Sequence, residues 1–86
     1  MPRARFNERK RQILSLLDGR WMTAREVAGA CGIKYRTARA HLLRYRRYGL
    51  LAEREGRVIP GGGSEPNRYT LSERGKSYLR KFFHQK

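Results

Sequence analysis

Apolar residues recur along this chain with two different spacings, and the switch between them divides it. In the first half the spacing is helical. Ile13, Leu14 and Leu17 mark one face of a helix that Asn7 can cap and Asp18-Gly19 can stop, which predicts a first helix over residues 7–18. Residues 1–6, carrying Arg3 and Arg5, then read as a basic N-terminal arm, with Phe6 placed to staple the helix start. After a short extended Trp21-Met22 comes Thr23-Ala24-Arg25-Glu26, which has the spacing of a capping box: hydroxyl and carboxylate each satisfy a backbone amide that the first helical turn leaves unpaired. The second helix that starts there has Val27, Ala28 and Cys31 on its apolar side. It ends at Gly32, which takes the left-handed conformation without strain. Ile33 turns inward as the chain reverses, and a third helix runs from Tyr35 to Tyr48, with Ala38, Leu42 and Tyr45 on one side and Gly49 beyond its end.

Past Gly49 the period shortens. Leu50-Leu51-Ala52 up to Val58-Ile59, and then Arg68-Tyr69-Thr70-Leu71, read as two antiparallel strands. The long tip between them contains Gly61-Gly62-Gly63-Ser64 and is bracketed by Pro60 and Pro66, neither of which suits a sheet interior. Ser72 caps a last helix, Glu73 sits in its first turn where the dipole favours negative charge, and Leu79, Phe82 and Phe83 make its far end apolar. The expected fold is therefore α+β: a three-helix core, a two-strand hairpin and a C-terminal helix, in one domain over residues 1–86.

Charge narrows the range of partners. The 86 residues include 21 Lys and Arg against 7 Asp and Glu, a formal charge of +14, and such an excess repels itself unless a polyanion neutralises it. Nucleic acid is the expected partner. An anionic membrane would also attract the charge, but no apolar run approaches the roughly 20 residues that a spanning helix needs. No signal-peptide pattern opens the sequence either, and a cytoplasmic protein without membrane association is expected. Cys31, the single cysteine, has no partner for an internal disulfide and reads as a small buried apolar residue, with an intermolecular disulfide or a redox-sensing thiol as the other readings.

The stretch from Thr23 to Ala28, then Gly32-Ile33-Lys34-Tyr35-Arg36-Thr37-Ala38-Arg39-Ala40-His41-Leu42, Tyr45 and Gly49-Leu50-Leu51 resembles the helix-turn-helix of MarR-like and related winged-helix regulators. Tyr69-Thr70-Leu71-Ser72-Glu73-Arg74-Gly75-Lys76 is similar to the strand and final helix of the same families, so the likeness spans most of residues 23–76. It implies a winged helix-turn-helix domain acting in transcription regulation, with the third helix in the major groove of double-stranded DNA and the hairpin on the adjacent backbone or minor groove. Full-length MarR proteins carry additional helices for dimerisation and ligand binding. Little flanks the core here, and no small-molecule effector or cofactor is expected.

Helical geometry then selects the residues that would touch a duplex. At about 100° per residue, a helix with Ala38, Leu42 and Tyr45 inward turns Arg36, Ala40, Leu43 and Arg47 outward, with Arg39 and Arg44 on the flanks. No Asp or Glu occurs between residues 27 and 52, whereas a helix selected for solubility alone would mix acids and bases at i,i+4. Early residues of a helix in the major groove reach base edges, so Arg36 and Arg39 are expected on bases, Tyr35 and Thr37 near the backbone, Ala40 close against a base or a thymine methyl, and Lys34 adds positive charge to the DNA-binding set. Arg44 and Arg47 are better placed for phosphates. On the hairpin, Arg57 and Arg68 flank the glycine tip and are a second candidate contact, although Glu65 opposes deep insertion and a tip that touches nothing is the competing reading.

Other chemistry finds little support. His41 and His84 are the only histidines, and neither a metal set nor a nucleophile-base pair is visible, so no enzyme activity and no metal are expected. His41, beside the core face, reads as a packed or backbone-bonded side chain. The glycine run lacks the Gly-Lys-Ser/Thr ending of a phosphate loop. An architectural or protein-interaction winged helix that reads no bases is the alternative, and RNA binding through Tyr35, Tyr45 and Tyr48 is a third. A homodimer is expected through Tyr78, Leu79, Phe82 and Phe83; the competing reading has these residues close the monomer core.

Overall fold

The computed structural model describes the backbone of residues 2–83 and the side chains of residues 8–81. Its elements in chain order are α1 (Pro2–Leu16), β1 (Met22–Thr23), α2 (Ala24–Cys31), α3 (Tyr35–Arg47), β2 (Leu51–Arg54), β3 (Arg68–Leu71) and α4 (Glu73–Phe83). The described residues thus form a small α+β domain with four helices and one antiparallel sheet.

Local signals explain most of the boundaries. Thr23 Oγ1 accepts from the Glu26 N–H at 3.1 Å while Glu26 Oε1 accepts from the Thr23 N–H at 2.8 Å, completing the expected capping box on α2. Gly32, at φ +67°, closes the same helix. Helix α3 ends where Gly49 adopts φ +80°, and the Leu50 N–H returns to the Tyr45 carbonyl at 2.9 Å. Ser72 does two jobs at the start of α4: its hydroxyl accepts from the Gly75 N–H at 3.0 Å and donates to the Gly49 carbonyl at 2.6 Å, which ties α4 to the end of α3.

Several expectations about the elements need correction. Helix α1 begins at Pro2, not Asn7, because proline is tolerated in a first turn and no breaker separates it from Asn7, which therefore lies inside the helix instead of capping it. The side chains of the basic arm and of Phe6 lie outside the described residues. The expected antiparallel hairpin of β2 and β3 forms, but it is not the whole sheet. Met22 pairs with Tyr69 and Thr23 with Arg68, so β1 adds a third strand and the sheet order is β1-β3-β2. Finally, β2 stops at Arg54, and of the expected Val58-Ile59 strand only a single bridge, Val58 to Ser64, remains. The cause is Pro66 opposite, which has no N–H to extend the ladder.

One core holds these elements together. Ile13 and Leu14 from α1 and Leu17 just past its end meet Val27 and Ala28 from α2, Ala38, Leu42 and Tyr45 from α3, and Leu51, Tyr69 and Leu71 from the sheet. Strand β3 alternates as a half-covered strand must, with Tyr69 and Leu71 buried and Arg68 and Thr70 only half-buried. It is anchored to the turn after α1 by the Leu71 N–H and the Thr70 hydroxyl, which both donate to the Leu17 carbonyl at 3.1 Å. Leu79 is 4 % exposed within this core and so is not available to a dimer face. Tyr78 is half-buried beneath the Lys10 ammonium, 4.5 Å from its ring centroid, and the Phe82 and Phe83 side chains lie outside the described residues. Cys31, expected to be buried, is half-buried at the edge of the core, where its carbonyl accepts from Arg9 at 3.1 Å.

Candidate nucleic-acid interface

Packing determines what α3 shows to solvent. Ala38, Leu42 and Tyr45 are completely buried, and this fixes the rotation of the helix. Lys34, Tyr35, Arg36, Thr37, Arg39, Ala40, Arg44 and Arg47 are all exposed, as the helical geometry requires. Among the described residues, Lys34, Arg36, Arg39 and Arg47 form no ion pair. Arg46, by contrast, pairs with Glu53 of β2 and so serves the contact between helix and sheet. Lys34 precedes the first turn of α3 and makes no side-chain cap.

The hairpin base lies beside this face. A groove of about 280 Å³ is lined by Arg25 at the start of α2, Tyr35 and Arg39 of α3, and Pro66, Asn67 and Tyr69 of the hairpin. Arg25 stacks over the Tyr35 ring at 5.1 Å, and Asn67 braces the hairpin by accepting from the Gly56 N–H at 3.0 Å and donating to Glu53 at 2.7 Å. Sequence reading missed Arg25, because its partner Tyr35 is ten residues away and meets it only once the turn at Gly32 folds α3 back. Arg57 is exposed near the tip. Arg68 lies further from the glycines, opposite Arg54 in the last rung of the β2–β3 ladder, where it stands 3.7 Å from Glu26. A pair that exposed contributes at most about 1 kcal/mol, so Arg68 remains able to exchange its partner.

The ionisable groups behind the face are structural. Tyr45 is pushed up to about 12 by burial and stays protonated, and its hydroxyl shares a 2.9 Å hydrogen bond with His41 Nδ1. Burial, reinforced by the Arg44 and Arg9 guanidiniums, holds His41 below the ordinary histidine range. His41 is thus packed, but against a side-chain hydroxyl. Burial followed by the Glu53 carboxylate raises the Tyr69 hydroxyl, and burial raises the Cys31 thiol, which disfavours a reactive thiolate. Among the described residues, no group of three or more His, Cys, Asp or Glu is arranged to hold a metal ion, and no helix is long and apolar enough to cross a membrane. Compared with known proteins, the sequence matches no family model and no curated protein.

Proposed function

We propose that this chain is a winged helix-turn-helix domain of the kind MarR-like regulators carry, that it binds double-stranded DNA through the exposed face of α3, and that it regulates transcription. One observation carries the reading: a helix rotated by three fully buried residues turns outward Lys34, Arg36, Arg39 and Arg47, which form no ion pair among the described residues. Like charges on one helix face destabilise the free helix, and phosphates relieve that cost. In this reading Arg36 and Arg39 reach base edges, Arg44 and Arg47 reach phosphates, and the groove containing Arg25 faces the adjoining backbone. Two copies on a palindromic site, joined through what α4 leaves exposed, would set two such helices about 34 Å apart, one turn of the duplex.

The test combines substitution with salt titration. Arg36→Ala with Arg39→Ala should lower affinity for a selected duplex by about 1–3 kcal/mol per lost base contact and shrink its preference over random DNA. Arg47→Ala should weaken both duplexes alike and flatten the slope of log affinity against log salt by about 0.9. Unchanged affinity and slope in folded variants would remove the reading, and a salt slope without any preference between duplexes would favour an architectural role.

A further inference from the structure

The hairpin between β2 and β3 ends in an apolar pair that the fold leaves in water: Val58 is 81 % and Ile59 46 % exposed, with Pro60 next in sequence. The segment is nonetheless built. Val58 bridges to Ser64, the Ile59 N–H donates to the Gly63 carbonyl and the Gly62 N–H to the Ile59 carbonyl, both at 3.1 Å, closing the tip over three glycines at positive φ. Below the tip the Glu65 N–H donates to the Arg57 carbonyl at 2.8 Å, and Gly56 approaches the Glu65 carbonyl so closely that a Cβ would not fit. The result is a narrow end with no side chains on its glycine edge and two stiff β-branched ones beside it.

Charge says how such an end is used. Across the hairpin Arg54, Arg57 and Arg68 are balanced by Glu53, Glu55 and Glu65, so this element does not attract phosphates by net charge, as α3 does. Glu65 turns an oxygen onto the Arg57 N–H at 3.3 Å, which engages its carboxylate within the hairpin. The base of the hairpin borders the α3 face through the groove between Tyr35, Arg39, Pro66 and Asn67. A duplex drawn in by α3 therefore meets the hairpin with an uncharged apolar end. Apolar wedges of this type enter the minor groove, part a base step and bend the duplex by about 20–90°.

A hairpin at the backbone or minor groove is already what the winged-helix resemblance implies; we infer in addition that Val58 and Ile59 act there as a wedge that parts a base step and bends the duplex held by α3, favouring sites with an easily unstacked step such as TA or CA/TG. The inference rests on the DNA-binding reading above and adds deformation to it. The probe is a duplex of about 25 base pairs with a central TA step, labelled at both ends for energy transfer. Wild-type protein should bring the ends closer, and the double variant Val58→Ser/Ile59→Ser, folded by circular dichroism, should bind with affinity within about tenfold but leave the duplex straight. Binding by the wild type without a change in end-to-end distance, or equal bending by the variant, would overturn the wedge while leaving DNA binding intact; no binding at any salt would remove both. Cosedimentation with anionic phospholipid vesicles that needs Val58 and Ile59, with the duplex unbent, would reassign the tip to a membrane surface.

Discussion

Gly75 shows how a single residue can oppose the propensity of its own helix. It lies buried in α4, where a Cβ would collide with the Leu50 carbonyl and stand 2.6 Å from Leu71 Cδ1. Helix propensity alone would favour Gly75→Ala by about 1 kcal/mol. Overpacking against backbone costs about 1–3 kcal/mol, and the neighbour here is a carbonyl that also accepts the Ser72 N–H, so it has little room to move. Gly75→Ala should therefore lower the urea midpoint. His41 makes the second argument at this scale. Its folded pKa lies below the ordinary value, so its neutral form is the one the fold favours; that stability is complete above about pH 6.5 and is lost as pH falls from there through the folded pKa. Between pH 7.5 and pH 5 the melting temperature of the wild type should fall further than that of His41→Gln, which cannot take up the proton.

Among the elements, α2 and α3 contrast in how they begin. The Thr23-Glu26 box satisfies the first amides of α2 from within, whereas α3 starts after Lys34 with no side-chain cap and no acid in its first turn. An Asp at that position would cap the helix and suit its dipole, together worth about 1 kcal/mol or more. Lys34→Asp is therefore expected to raise the melting temperature and, by placing a carboxylate on the proposed DNA face, to weaken duplex binding. Opposite movement of the two measurements would mark α3 as a helix whose start is left weak in favour of its ligand; stabilisation with unchanged affinity would remove Lys34 from the interface. The capping box, Gly32 and the Ser72 cap were legible in the sequence because each closes within about one helical turn. The pairing of β1 with β3 was not, since Met22 and Tyr69 are separated by most of the chain.

For the whole molecule the dominant quantity is a charge of +14 on 86 residues. Self-repulsion on that scale opposes compaction, and salt weakens it once the Debye length falls below the separation of the charges. Moderate salt should therefore raise the melting temperature while it lowers duplex affinity. A duplex at low salt should stabilise the fold more than salt does, because it binds the native face selectively. A melting temperature that falls with added salt would mean that ion pairs such as Arg46–Glu53 outweigh the repulsion.

The sequence by itself determined the order of the helices, the rotation of α3 and the identity of its outward cations, since each follows from caps, breakers and a period of 3.6 acting over a few residues. Tertiary structure decided the third strand, the burial of Leu79, the stacking of Arg25 on Tyr35 and the exposure of Val58 and Ile59. Those outcomes depend on which distant surfaces meet, and an apolar residue in a local pattern carries the same signal whether a partner arrives to cover it or not.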